Sequence, residues 1–233
     1  MRSKGRSKRY LKDVKDVQAD VRRSIDDAIA TLRKFSAVKF DQTVELAIRL
    51  GIDAEKTEQA VRGSVSLPKG LGKTRKVIVF ADGEEADDAK KMGADEIGGA
   101  DLVQKIEGGW TDFDVVIAHP RMMKFVGKLG KILGPQGKMP SPKSGTVSED
   151  IKNTVKEFKA GKVEFRSDKG GNVHAPVGKL SFKDEDLKEN IIAFMEHIRQ
   201  VKPPAVKGTF LVSAAISATM SPGVALALNE APV

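Results

Sequence analysis

The sequence predicts two domains of different fold class within one chain. Both ends of the chain carry strands in which apolar and polar residues alternate, a pattern typical of a sheet with one face on a core and one in water. The middle instead carries short, unbroken apolar runs that alternate with helices, which is typical of strands covered on both faces. We therefore predict an α+β discontinuous domain formed by both chain ends and, inserted within it, a Rossmann-like α/β three-layer domain.

The N-terminal part predicts one long helix, one strand and one short helix. Residues 13–34 show the apolar spacing of a helix. Residues 40–48 alternate as a half-buried strand, and this alternation puts Phe40 on its apolar side. Residues 55–62 then suit a short helix that ends at Gly63. This part offers only one good strand, so it cannot close a core alone.

The middle of the chain predicts strands and helices that alternate along the sequence. The predicted strands are residues 77–81, 95–97 and 115–118, and the predicted helices are residues 84–92, 101–107, a stretch from Pro120 with the apolar stripe Met122, Val126, Leu129 and Leu133, and residues 149–159. Pro120 is suited to a helix start, because its missing N–H would be unpaired there anyway. Residues 134–145, between the last two helices, are rich in Gly and Pro.

The C-terminal part supplies the remaining strands of the first domain. Residues 162–168 and 172–179 predict two partner strands joined by a turn at residues 169–171. An amphipathic helix follows, with the apolar stripe Leu187, Ile191, Phe194 and Ile198, and residues 209–219 predict a last strand before a Pro/Gly tail. Since neither end has enough elements for its own core, the ends pack together. The predicted domains are residues 1–67 with 160–233, and the insertion 68–159.

Composition limits the classes of protein that fit. The 233 residues include 40 Lys and Arg against 32 Asp and Glu, a formal net charge of +8. There is no cysteine, and the three histidines lie far apart, so we predict neither a disulfide nor a metal site. The sequence contains no run of about 18 apolar residues, which is the length that a membrane-spanning helix needs. We expect a cytoplasmic protein without a membrane partner.

Basic residues cluster in two acid-free segments, residues 1–12 and 115–148, with an acidic patch at residues 82–88 between them. Such clusters favour contact with phosphate groups, which indicates a nucleic-acid partner. For the first segment, an unfolded solubilising tail is the alternative interpretation.

Nucleotide chemistry on the inserted domain is the weaker functional hypothesis. Residues 72–74 (Gly-Lys-Thr) resemble a phosphate-binding loop, but Leu67 stands where that motif needs glycine, and the segment precedes a strand instead of following one. A dinucleotide site would need a glycine-rich turn after residues 77–80, where the chain has Asp82, Glu84 and Glu85. We therefore predict a non-enzyme, with no catalytic residue and no cofactor.

The polar faces of the terminal strands carry hydroxyls, amides and charged groups but no Phe, Tyr or Trp ring. These outward residues are Thr43, Glu45, Glu164, Arg166, Asn172, His174, Ser213, Ser217 and Thr219. Binders of single-stranded RNA stack bases on aromatic side chains, which make up only 5% of this chain. Folded RNA is recognised through shape, phosphate and 2′-hydroxyl contacts, which suit short polar side chains. The faces favour structured RNA, with an ordinary solvated sheet face as the alternative.

One long segment resembles the signature of a known family. Residues 125–140, Phe-Val-Gly-Lys-Leu-Gly-Lys-Ile-Leu-Gly-Pro-Gln-Gly-Lys-Met-Pro, continued by residues 142–147, are similar to the large-subunit ribosomal protein L1 family, found on the mobile stalk beside the tRNA exit site. Further matches lie at residues 61–73, 163–169, 174–179 and 207–211. The resemblance runs in order from about Arg6 to Met220, and the bacterial form is the closer match.

The resemblance implies a structural protein of the large subunit whose first domain binds a structured element of ribosomal RNA. It also implies assistance in releasing deacylated tRNA from the exit site and repression of the protein's own messenger through a similar RNA structure. The implied partners are thus large-subunit ribosomal RNA, the protein's own messenger RNA and exit-site tRNA, with a chain that is monomeric when free.

The expected RNA-binding residues come from the motif match and from the polar strand faces. The match assigns contacts to Lys39, Phe40, Thr43, Arg166, Ser167, Asp168, Lys169, His174, Thr219 and Met220, and the strand faces add Glu45 and Ser217. One position departs from the family, which continues Thr-Met with glycine, whereas Ser221 stands here. Glycine tolerates positive φ and close approach of RNA, so this difference bears on the loop after Met220.

Overall fold

The computed structural model describes residues 6–17, 21–36, 38–53, 56 and 58–228. It is a mixed α/β fold that forms two compact units. The first unit combines Met1–Gly72 with Phe165–Val233, and the second is Lys73–Glu164. The domain boundaries predicted from the sequence, near residues 67 and 160, stay a prediction.

Within the described residues, strands and helices are numbered in chain order. The strands are β1 Thr43–Leu50, β2 Arg62–Ser66, β3 Val77–Phe80, β4 Glu96–Gly98, β5 Val115–Ala118, β6 Lys162–Arg166, β7 Asn172–Lys179, β8 Leu211–Ala218 and β9 Val224–Leu226. The α-helices are α1 Lys8–Lys15, α2 Ile25–Lys34, α3 Glu84–Lys91, α4 Ala100–Glu107, α5 Met123–Val126, α6 Gly130–Leu133, α7 Ile151–Ala160 and α8 Asp184–Gln200. Short 3₁₀ turns occupy Pro120–Met122, Gly127–Leu129 and Pro142–Ser144.

An antiparallel sheet in the order β7-β1-β8-β9 forms the first unit. Strand β1 pairs on one side with β7 and on the other with β8, so an N-terminal strand lies between two C-terminal ones. The alternation predicted for β1 is confirmed, because Val44, Leu46 and Ile48 are fully buried while Glu45 and Arg49 are exposed. The sheet therefore has one face on a core and one open face.

Helices α2 and α8 pack against the covered face and against each other. The buried residues of the two helices are Ile25, Ala28, Ile29 and Leu32 on α2, and Leu187, Ile191, Phe194, Met195 and Ile198 on α8. Fully burying each large apolar side chain contributes about 1.5–3 kcal/mol. The apolar stripe predicted for α8 is confirmed, since all four of its predicted residues are buried.

A parallel sheet in the order β4-β3-β5 forms the second unit. All residues of β3 and β5 are buried, as their unbroken apolar runs predict. One face packs against α4 and the helical stretch 120–133, and the other against α3 and α7. The predicted stripe of Met122, Val126, Leu129 and Leu133 is buried in the first of these two cores.

Two N-terminal predictions are wrong. The single helix over residues 13–34 is instead α1 and α2, because Ser24 caps a new helix by accepting a hydrogen bond from Asp27 N, and Arg23 forms a β-bridge with Leu226. Residues 18–20 lie outside the described residues. The helix over residues 55–62 is also wrong where the structure describes it, since residues 58–59 form a turn and β2 begins at Arg62.

Two C-terminal predictions are corrected as well. Strands β6 and β7 are not partners: only Ser167 and Val173 bridge them, while β6 pairs with β2 and β7 pairs with β1. Local alternation could not show which long-range partner each strand would find. The predicted Pro/Gly tail contains β9, whose Val224 and Leu226 are buried as it pairs with β8.

The fully buried Asn190 generates a stability prediction. Its Oδ1 accepts a hydrogen bond from Lys69 N (3.1 Å), and its Nδ2 donates to the carbonyls of Gly70 (3.0 Å) and Val177 (2.8 Å). Asn190→Ala leaves these backbone groups unpaired, so we expect it to lower the free energy of unfolding by about 2–4 kcal/mol in urea. The control Gln200→Ala, at the exposed end of α8, should change it by less than about 0.5 kcal/mol. Equal effects would contradict the role of Asn190.

Candidate nucleic-acid interface

The open face of the four-stranded sheet is built from cross-strand rows of outward side chains. The rows are Lys179 with Thr43, Pro176 with Glu45 and Ser217, His174 with Ala47 and Ala215, and Asn172 with Arg49 and Ser213. These residues are exposed or half-buried. The face thus displays small polar groups, two arginine or lysine side chains and one imidazole, and it carries the predicted residues Thr43, Glu45, His174 and Ser217.

At one end of this face, two segments distant in sequence are tied together by hydrogen bonds. Thr219 N donates to Thr43 O (3.0 Å), and Thr43 N donates to Thr219 Oγ1 (3.1 Å). Gln42 Nε2 donates to Thr219 O (2.6 Å) and to Ser221 Oγ (3.1 Å). Lys179 Nζ donates to Thr43 Oγ1 at 2.8 Å. This bonding holds the predicted residues Thr43 and Thr219 in fixed positions.

Met220 continues this end of the face with an unusual backbone. Its φ of +64° is the only positive φ of a non-glycine residue in the described part of the chain, and its side chain is 67% exposed. Arg9 on α1 fixes the loop by donating from Nη2 to Met220 O at 2.7 Å. Because the left-handed conformation belongs to Met220, Ser221 does not need to be glycine for backbone reasons, and its hydroxyl instead accepts from Gln42.

The loop before β1 carries Lys39 and Phe40, both exposed. Periodicity put Phe40 on the core side of a strand starting at residue 40, and this is wrong, because β1 begins only at Thr43 and the Phe40 side chain is 50% exposed. The buried position before β1 is taken by Gln42. An exposed ring beside Lys39 is therefore available to a partner.

The turn between β6 and β7 forms the other end of the face. Asp168 Oδ1 accepts hydrogen bonds from Gly170 N (2.8 Å) and Asn172 N (2.7 Å), and Ser167 Oγ accepts from Val61 N (3.1 Å). Ser167 and Asp168 thus shape the turn. Arg166 and Lys169 are exposed and form no ion pair with any described residue.

The pKa of the Asp168 carboxyl lies below its ordinary value of 3.8. The backbone N–H of Asn172 is the main cause, and the side chain of Asn172 and the backbone N–H of Gly170 add to it. Each of these donors favours the charged form. The turn is therefore built around a carboxylate that stays ionised at neutral pH.

The predicted residues form two groups at opposite ends of one face and not a single cluster. Strand β1 advances about 3.3 Å per residue, so Thr43 and Leu50 at its ends lie about 23 Å apart. The Thr43–Met220 group lies at one end, and Gly171, next to the Asp168 turn, accepts from Leu50 N at the other. Between the two lie Glu45, Ser217 and His174. Such an elongated polar surface suits an extended macromolecule and not a small ligand.

Sequence reasoning missed several residues that the structure brings to this surface. Arg49 lies on the open face opposite Asn172 and Ser213, and its outward place in the alternation was the available signal. Gln42, Lys179 and Arg9 act through contacts to residues far along the chain. No local pattern could have indicated those contacts.

The second unit has a crevice at the carboxyl ends of β3 and β5, where α/β sheets often bind ligands. It is lined by Asp82, Glu85, His119 and Arg121, among others. Buried His119 accepts from Arg121 N through Nδ1 (3.2 Å), and its Nε2 lies 3.4 Å from Glu85 Oε1. Carboxylates here would repel phosphate. Among the described residues, no group of three or more potential ligands could hold a metal ion.

The shifted carboxyl of Asp168 generates a pH prediction. Because its folded-state pKa is lowered, its contribution to stability is fully present above the ordinary value near 3.8 and is lost as the pH falls through the folded value. We expect NMR titration to place its midpoint below 3.8, and Asn172→Ala, which keeps the backbone donor, to raise that midpoint part of the way back. A wild-type midpoint at or above 3.8 would contradict this account of the turn.

Comparison with known proteins agrees with the resemblance. The model of the ribosomal protein L1p/L10e family matches residues 32–222. A relative from Kosmotoga olearia, the "Large ribosomal subunit protein uL1", is 51% identical over 221 residues, covering 95% of this chain and 96% of the relative. In the described part of the chain, no helix is long and apolar enough to cross a bilayer. The chain therefore belongs to the ribosomal protein L1p/L10e family and is a structural protein of the cytoplasmic ribosome, not an enzyme.

Proposed function

We propose that this protein is a structural component of the large ribosomal subunit that binds folded ribosomal RNA through the open sheet face of its first unit. The observation that carries the proposal is the joining of two polar loop groups by one uncovered sheet face about 23 Å long. The name of its relative from Kosmotoga olearia, a large-subunit protein, supports the choice of subunit.

The chemistry of the face favours folded RNA over a single strand. Among the predicted contacts, Phe40 is the one Phe, Tyr or Trp side chain and His174 the one imidazole, whereas most of the others carry a hydroxyl or a charged group. Duplex and compactly folded RNA present phosphates and 2′-hydroxyls, which such groups bind. Arg166, Lys169 and Lys39 supply charge for phosphate at the two ends, Thr43 and Thr219 supply hydroxyls at one end, and Ser217 supplies a hydroxyl between the ends.

The finer parts of the proposed function follow from family resemblance. We propose that the protein assists release of deacylated tRNA at the exit site and represses its own messenger by presenting the same surface to a similar RNA structure. The two RNA-binding roles would compete, because one surface cannot hold ribosomal and messenger RNA together. The free protein is proposed to be a monomer.

We further propose that the two units are independent domains, an α+β domain formed by both chain ends and an inserted Rossmann-like domain. Boundaries near residues 67 and 160 keep β2 and β6 whole in the first domain. All twelve predicted RNA-binding residues also stay within it.

A shortened chain tests the domain proposal. Joining residue 67 to residue 160 through a short Gly/Ser linker should give a protein that unfolds cooperatively in urea, because loop-closure entropy changes only logarithmically with length. It should bind large-subunit ribosomal RNA within about tenfold of the full chain. A shortened chain that folds but binds no RNA would place the principal site on the second unit.

Salt dependence tests the RNA site itself. Each phosphate contact contributes about −0.9 to the slope of log affinity against log salt. Arg166→Ala with Lys169→Ala should therefore weaken binding to a large-subunit RNA fragment at least about tenfold and flatten the slope by about two. Lys34→Ala is the control, since it removes an exposed cation from the end of α2, on the covered side.

Two results would contradict the proposal. An unchanged slope in the double variant would move the contact surface elsewhere. Failure of the wild-type chain to co-sediment with large subunits would remove the proposed ribosomal role as a whole.

A further inference from the structure

The second unit displays a basic helical surface that the proposed function does not use. It lies on the outer side of the stretch from Pro120 to Leu133. We name it the Lys124–Lys131 face, and it consists of Lys124, Phe125, Gly127, Lys128, Gly130 and Lys131. Val126 and Leu129, which stand between these residues in the sequence, are fully buried in the core of the unit. The stretch is thus held rigidly, with its cations directed away from the core.

The three lysines of this face carry uncompensated charge. None of them forms an ion pair or side-chain hydrogen bond with any described residue. Six other lysines of the same unit are paired, whereas these three are not: Lys73 pairs with Asp114, Lys76 with Asp112, Lys91 with Asp88, Lys105 with Glu96, Lys159 with Asp95 and Lys162 with Glu157. Three exposed, unpaired cations on one short stretch fit a polyanion.

The two glycines of the face have no structural explanation. Gly127 and Gly130 both have φ of −55°, which any residue adopts, and a Cβ at either position would meet nothing within 4 Å. By contrast, a Cβ at Gly134 would lie 2.5 Å from Gly130 O. Glycine is a poorer helix former than alanine. What Gly127 and Gly130 provide is a smooth surface that another backbone can approach closely.

Phe125 completes the face with an apolar group. The Phe125 side chain is 41% exposed, whereas the next residue, Val126, is fully buried. Unpaired bases of folded RNA stack on exposed aromatic rings, and phosphates pair with lysines. A ring beside cations and a smooth backbone therefore matches RNA better than an acidic peptide, which would gain from the charges alone.

We infer that the Lys124–Lys131 face is a second RNA-binding surface, in which three lysines contact the sugar–phosphate backbone and Phe125 packs on an unpaired base. The inference deepens the proposed RNA-binding function and rests on it for its biological setting. It concerns a different unit and different residues from the open sheet face.

The test compares two triple variants of the full chain with equal charge change. The test variant combines Lys124→Ala, Lys128→Ala and Lys131→Ala, and the control combines Lys90→Ala, Lys152→Ala and Lys156→Ala. The control lysines are exposed on α3 and α7, which pack on the opposite face of the parallel sheet. The probe is a labelled RNA hairpin of fixed sequence with an unpaired loop. The test variant should bind it at least about tenfold more weakly, with a salt slope reduced by two to three, and the control within about threefold.

A glycine variant separates binding from folding. Gly127→Ala with Gly130→Ala should raise Tm by about a few degrees, because alanine is the better helix former and no neighbour is displaced. The same variant should lose at least about fivefold in affinity for the hairpin, since two methyl groups then stand on the contact surface. Unchanged affinity with a raised Tm would overturn the close-approach argument.

The outcomes also separate this inference from the proposed function. Equal losses of hairpin affinity in both triple variants would reveal an effect of net charge alone and would overturn the inference. Polyglutamate that competes as strongly as the unlabelled hairpin would also overturn the inference. The test variant and the Arg166→Ala, Lys169→Ala variant are measured with the same hairpin. Loss of hairpin binding only in the latter would overturn the inference and leave the proposed function intact.

Discussion

The pairing of β1 with two strands from the other end of the chain is the constraint on which the first unit depends. Val44, Leu46 and Ile48 reach the core only because β7 and β8 pair on either side of β1 and α2 and α8 cover that face. The same pairing leaves Glu45 outward between Pro176 and Ser217, and Arg49 outward between Asn172 and Ser213. Burial of one face and display of the other are therefore consequences of one arrangement.

Hydrogen bonds between segments distant in sequence make the display rigid. Gln42 is nearly buried, yet its amide satisfies Thr219 O and Ser221 Oγ, 177 and 179 residues away. An exposed loop fixed in this way loses little conformational entropy on binding, which favours affinity. The left-handed backbone at Met220 is also fixed by a distant segment, because Arg9 donates a hydrogen bond to the carbonyl of Met220.

Charge is arranged differently on different faces of the molecule. Many lysines of the second unit are paired with carboxylates, whereas the cations of the Lys124–Lys131 face and of the Asp168 turn stand alone within the described residues. Exposed pairs contribute little stability, about 0–1 kcal/mol each, but they neutralise the surface they occupy. Unpaired cations instead leave a local positive potential that attracts phosphate.

The sequence by itself predicted most of the local elements, and it indicated the class of partner that we propose. Unbroken apolar runs predicted β3 and β5, alternation predicted β1, and helical spacing predicted the buried stripe of α8, because each pattern reports directly on which faces are buried. Short polar side chains and clustered cations indicated folded RNA. The tertiary structure alone decided that β6 pairs with β2, that Phe40 is exposed and that the predicted contacts form two groups. Those outcomes depend on long-range pairing and on where a strand begins, and neither is encoded in the local periodicity of the chain.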